Sequence, residues 1–181
     1  MVKFRIEKDS LGEVKVENEK LWGAQTQRSI QNFKIGVGKF HFQKVFIEAI
    51  ALQKKACAMA NYNCKLLSKK HVDTIAKVCD LIIDQKLEDH FPLVVWQTGS
   101  GTQINMNLNE VIANKSNLLL GSKLPSNKPL HPNDDINKSQ SSNDTIPTAM
   151  HIATVLLIKS CLLYTSPSPR DYAASRMPSS A

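Results

Sequence analysis

Two short polar runs carry residue types that can bind a small anion. The first, TGSGTQ (98–103) within WQTGSGTQINMNLNE, sets glycines and hydroxyls directly before a helical pattern and contains no lysine. A helix start presents unpaired backbone N–H groups and the positive end of the helix dipole. Ser100 and Thr102, flanking Gly101 at such a start, could therefore hold a carboxylate with neutral donors alone, and Asn107 and Asn109 follow one or two turns later. The run is not a dinucleotide fingerprint, which would need glycine at Ile104, nor a P-loop, which would need Gly-Lys-Ser/Thr. The second run, HPNDDINKSQSSND (131–144), crowds His131, Asn133, Asp134 and Asp135 into a loop and places Ser141, Ser142 and Asn143 at another helix start. From the residues alone, both runs fit either helix capping or ligand binding. Asp134-Asp135 lack the ordered ligand spacing of an EF-hand, so no metal site is expected. His151, inside an apolar helical run, is expected to be a partnered core residue.

The elements that must position these runs are mostly helices. With 181 residues, 42% of them hydrophobic, the chain can bury a core of its own. FRIEKDSLGEVKV alternates about Ser10-Leu11-Gly12 and predicts a short β-hairpin or extended arm, whereas LWGAQTQRS (21–29) is polar, turn-prone and unassigned. Val45, Phe46, Ala49, Ile50, Ala56, Met59 and Ala60 recur at helical spacing and predict a helix from Lys44 to about Cys64. A second helix follows Ser68 as N-cap, with Val72, Ile75, Cys79, Ile82 and Ile83 on one face. A third is expected from about Asn105 to Leu120, stopped by Gly121. Residues 121–137, with three prolines, form a loop. A fourth helix begins near Asp144, with Pro147 in its first turn, and continues as an apolar run.

Composition narrows the function classes. The formal charge is +7, but the lysines, including the pairs Lys54-Lys55 and Lys69-Lys70, read as solvated helix faces. No aromatic-basic module accompanies them, so no nucleic-acid partner is expected; a basic surface favours an anionic small molecule. The four cysteines have neither CxxC spacing nor partner histidines, and free, mostly buried thiols fit a reducing compartment. The start has no signal-peptide core, and the apolar run at 152–158 is too short to cross a bilayer. A cytoplasmic protein with no membrane partner is expected. The last stretch, CLLYTSPSPRD (161–171) and SRMPSSA (175–181), resembles a translated sequencing-library adapter, so the natural sequence is expected to depart from this one after about Ser160.

LWGAQTQRS, WQTGSGTQINMNLNEVIAN and HPNDDINKSQSSNDTIPTAMHIA resemble, in order and spacing, three stretches of class II fumarate hydratase in the fumarase/aspartase superfamily. The resemblance covers about residues 5–160. Aspartase-like relatives tend to have Ser-Thr-Asn-Asp where Ser141-Ser142-Asn143-Asp144 stands, which favours the fumarase branch. It implies a mainly α fold: the N-terminal domain of that superfamily over 1–137, the opening helix of a central helical bundle over 138–160, and an adapter-derived tail over 161–181. It also implies reversible hydration of fumarate to L-malate in the tricarboxylic acid cycle, without metal or organic cofactor, by a homotetramer. Ser100, Gly101, Thr102, Ser141, Ser142 and Asn143 would bind the dicarboxylate. Lys128, His131, Pro132, Asn133 and Asp134 fall on a second dicarboxylate site, although PSNKPL around Lys128 departs from the common pattern. The family's catalytic serine and histidine segments have no match here, so the 181-residue polypeptide is expected to lack hydratase activity. The alternatives are another lyase of the superfamily, aspartase-like, and a non-enzymatic helical interaction module.

Overall fold

Alternation across Ser10-Leu11 does produce a hairpin: β1 (Phe4–Asp9) pairs antiparallel with β2 (Gly12–Glu17), Phe4 opposite Glu17 and Asp9 opposite Gly12. The computed structural model describes residues 2–162. The hairpin's buried face carries Arg5 and Glu7 beside Val14 and Val16, while Phe4 and Ile6 face outward. Arg5 is buried because its guanidinium donates to the Glu7 carboxylate (2.6 Å) and to the carbonyls of Glu17, Lys20 and Trp22 (2.8, 2.8 and 2.7 Å). A buried charge paired and hydrogen-bonded in this way avoids most of its desolvation cost, and it fixes the path of the chain up to Trp22.

The unassigned LWGAQTQRS segment enters a helix, α1 (Ala24–Asn32). Four further helices follow: α2 (Lys44–Asn63), α3 (Lys69–Ile83), α4 (Thr102–Leu119) and α5 (Ser142–Leu157). Ser68 caps α3 by accepting the His71 N–H at 3.3 Å, as its position predicts. α4 begins three residues ahead of the expected Asn105, and Gly121 follows its end at φ +91°. α5 starts at Ser142, not Asp144, so Pro147 lies in the second turn. Having no N–H, Pro147 leaves the Asn143 carbonyl without its helical partner. The 121–137 stretch is a loop until a single wide turn, Pro132–Ile136.

α4 is the axis of the core. Its Ile104, Leu108, Val111 and Ile112 are buried with Ile50 of α2, Ile75, Val78 and Cys79 of α3, and Ile146, Ala149 and Ala153 of α5. Its buried asparagines hold the loops: Asn107 donates to the His90 carbonyl (3.1 Å), Asn114 to Leu21 (2.8 Å), and Asn117 to Leu130 (2.8 Å).

Four sequence expectations are corrected. In α2, Ala56, Met59 and Ala60 turn outward, and the inward stripe is Ala51, Lys54, Ala58 and Asn61. Lys54 is consequently buried, not solvated. His151 is exposed, on the outer side of α5. Of the cysteines, Cys79 is buried and Cys57 half-buried, but Cys64 and Cys161 are exposed. Burial pushes the Cys79 thiol up to about 12, so it behaves as a small apolar side chain. Among the described residues no helix is long and apolar enough to cross a membrane. Residues 163–181, nearly all of the adapter-like stretch, lie outside the described residues.

Candidate functional site

The two polar runs meet. Gly101 adopts φ +67° immediately before α4, and a β-carbon there would stand 2.8 Å from Cγ1 of Ile146 on α5. Both the left-handed turn and the close approach therefore require glycine. One helical turn on, the Asn105 side-chain amide donates to the Ser142 hydroxyl at 3.0 Å. The starts of α4 and α5 are thus fastened side by side, although nearly forty residues separate them in the chain.

At the α4 start, Gln97 accepts the Ile104 N–H at 3.0 Å. Gly101 has no side chain with which to cap the first N–H groups of α4. The Ser100 and Thr102 hydroxyls lie 2.9 Å apart, and Thr98 donates to the Gln103 side-chain carbonyl. At the α5 start, Ser141 is the cap residue and accepts the Asn143 N–H at 3.3 Å. Ser100, Thr102, Ser141 and Asn143 are exposed, and Gly101 and Ser142 half-buried. Together they form an open shelf of neutral donors at two positive helix ends. Asn107 and Asn109 are not on it: both are fully buried.

Beneath the shelf lies a polar network that the sequence reading missed. The Lys54 ammonium donates to Asn137 Oδ1 at 2.8 Å and Gln140 Oε1 at 2.9 Å. Asn137 Oδ1 also accepts from Asn105 Nδ2 (3.1 Å) and Asn109 Nδ2 (3.3 Å). Burial lowers the Lys54 pKa to about 7, against a smaller opposing attraction from Cys57 and Cys79. The available signal was that Lys54 falls in register with Ala51, Ala58 and Asn61, a stripe of small and polar residues that an apolar periodicity search passes over.

The LWGAQTQRS run serves a different end. The Glu110 carboxylate of α4 accepts the N–H groups of Gly23 (2.8 Å), Gln25 (2.8 Å) and Thr26 (3.1 Å), capping α1 from across the fold. Burial raises the Glu110 pKa, and these hydrogen bonds oppose the rise.

The residues around 131 form a separate locus, beside Met106, Glu110 and Asn114 of α4. Nδ1 of His131 accepts the N–H groups of Asn133 (3.3 Å) and Asp134 (3.1 Å), and the His131 backbone N–H donates to the Asp135 carboxylate (2.8 Å). Nδ1 also lies 3.2 Å from an Asp134 oxygen. The two accepted N–H groups assign the proton to Nε2, and the Asp134 contact becomes an ion pair only if the ring is protonated. His131 lines two clefts. One, of about 690 Å³, includes Lys128, Pro129, Asp134 and Asp135; the other, of about 460 Å³, includes Pro132, Asn133, Gln25 and Glu110. Among the described residues no three His, Cys, Asp or Glu side chains stand together as metal ligands would.

Comparison with known proteins places the chain in a family. The family model described as Lyase matches residues 12–166. The class II fumarate hydratase of Pasteurella multocida is 59% identical over 150 residues, covering 83% of this chain and 32% of the relative. That of Bacillus subtilis is 54% identical over 157 residues, covering 87% and 33%. The chain therefore spans about a third of the length of these relatives. Among solved structures, the class II fumarase of Schistosoma mansoni superposes with a TM-score of 0.82 at 39% identity, covering 86% of this chain and 33% of that one. A fumarate lyase:delta crystallin of Brucella melitensis gives 0.83 at 40%, covering 87% and 36%. The match over most of its length and the shared helical fold establish that this chain belongs to the Lyase family, alongside class II fumarate hydratases.

Proposed function

We propose that this chain is a part of a class II fumarate hydratase that contributes donors to the dicarboxylate, in an enzyme that reversibly hydrates fumarate to L-malate in the tricarboxylic acid cycle, and that the 181-residue polypeptide by itself is inactive. The observation that carries the reading is the fastening of the α4 and α5 starts through Asn105 and Ser142, which gathers Ser100, Gly101, Thr102, Ser141, Ser142 and Asn143 on one surface. Removing a proton beside a carboxylate drives charge onto that carboxylate, and fixed neutral donors aimed at it stabilise the transition state more than the ground state. These hydroxyl and amide side chains are poor bases near neutral pH, so their part is binding and charge stabilisation. Lys128, His131, Pro132, Asn133 and Asp134 are assigned to a second dicarboxylate site; the His131 Nε2–H and the Lys128 ammonium are its donors. Division of the chain at residue 137, homotetrameric assembly and a cytoplasmic location belong to the same reading.

The test uses a polypeptide of the relatives' full length that carries this sequence. Replacing Ser100 and Thr102 by alanine is expected to lower kcat/KM for fumarate on the order of 10²-fold, with the melting temperature little changed. If the hydroxyls serve only the fold through their mutual hydrogen bond, the pair instead costs about 1 kcal/mol of stability and leaves kcat/KM intact. Preference of the wild-type enzyme for aspartate over fumarate would move the assignment to an aspartase-like lyase.

A further inference from the structure

Lys54 is completely buried, and among the described residues no carboxylate pairs with it. An apolar side chain of the same volume would fill the space without the cost of desolvating an amine. Both hydrogen bonds of its Nζ go to Asn137 and Gln140, in the short segment that leads into Ser141, Ser142 and Asn143. Asn137 Oδ1 is a hub, accepting from Lys54, Asn105 and Asn109, and the Lys54 bond is the shortest of the three. The Asn105 amide donates at the same time to Asn137 and to the Ser142 hydroxyl. Ser142 Oγ thus uses a lone pair on Asn105, and its own proton is directed away from Asn105, available to a ligand.

Resting on the dicarboxylate reading above, we propose that Lys54 is a positioning residue: through Asn137 and Asn105 it holds the Ser142 hydroxyl as a donor to substrate. The chain of contacts runs from α2 through the 137–140 segment and α4 to the first residue of α5. Without the amine, the Asn137 side chain loses its shortest bond, Asn105 loses a fixed acceptor, and the Ser142 hydroxyl is free to turn.

The experiment is a double-mutant cycle in the full-length enzyme with fumarate as substrate. Lys54→Met is expected to raise KM roughly 5- to 50-fold, and to add less than about twofold when Ser142 is already alanine, because the two residues act in series. An unchanged KM, or an equal increase in both backgrounds, overturns the proposal; a lysine with only a structural role would lower stability without this coupling. If Lys54→Met does not fold, Asn137→Ala breaks the same link and is judged by the same cycle. Failure of the wild-type enzyme to hydrate fumarate would sink the functional reading instead. Amide hydrogen exchange then decides the positioning claim: Lys54→Met is expected to speed exchange at Asn143, Asp144 and Thr145, and unchanged protection there overturns it.

Discussion

Burial without a carboxylate makes the ionisation of Lys54 a contribution to stability that depends on pH. Burial lowers its folded pKa to about 7 from the ordinary lysine value of 10.5, so between these values the unfolded chain binds a proton that the folded chain does not. Stability from this group therefore rises with pH across 7 to 10.5, and is lowest below 7, where both states are charged. Urea titrations of the wild type and Lys54→Met at several pH values should show their difference shifting toward the wild type by up to about 4 kcal/mol over that window. A constant difference would mean that Lys54 stays charged and solvated. Burial raises the pKa of the neighbouring Cys57 thiol and pushes Cys79 up to about 12; both thiols are present in the wild type and the variant, so their own titration is subtracted in the difference. At this scale the sequence displayed the donors on the surface, because serine, threonine and asparagine beside glycine are recognisable as types. It hid Lys54, because only packing distinguishes a buried lysine from the half-buried, Asp80-paired Lys55 next to it.

Elements were legible where the signal is local. Apolar spacing and the Ser68 cap delineated α3, and alternation about Ser10-Leu11 delineated the hairpin. α1 was illegible because its cap, Glu110, stands some 85 residues away, and no local pattern records it. The inward face of α2 was misread beyond Ile50 because three of the residues that turn inward there are alanine and lysine, which carry little apolar signal. The junction of α4 and α5 combines both kinds of information: the glycine turn is visible in sequence, but its contact with Ile146 is not. Two glycine substitutions separate the contributions. Gly121→Ala, at φ +91° with nothing near the added methyl, should cost only the left-handed backbone penalty, about 1 kcal/mol. Gly101→Ala adds a 2.8 Å clash with Ile146 to a similar penalty and should cost about 2–4 kcal/mol in urea midpoint experiments. Equal costs would show that the α4–α5 junction yields without strain.

At the scale of the whole fold, the described residues expose an apolar surface. Met150, Val155, Leu157 and Ile158 of α5 and the turn after it are 45–54% exposed, and Phe40 and Trp96 are 51% and 56% exposed. Phe40, Phe42, Val45, Phe46, Val95, Met150, Ala153 and Leu157 line one cleft of about 510 Å³. A soluble monomer rarely exposes so continuous an apolar patch, and α5 carries these outward apolar residues in addition to its buried Ile146, Ala149 and Ala153, as a helix with neighbours on more than one side does. Since the chain spans about a third of its relatives' length, the remaining two thirds have ample surface to cover this face. In the 181-residue polypeptide, copies of the chain can supply that cover. Its sedimentation coefficient should therefore increase with concentration, and Met150→Lys combined with Val155→Lys should return it to a monomer while leaving the α4 core, on the other side of Ala149 and Ala153, intact. A wild-type polypeptide that sediments as a monomer at every concentration would show that the face is tolerated in water, and the argument from uncovered area would fail with it.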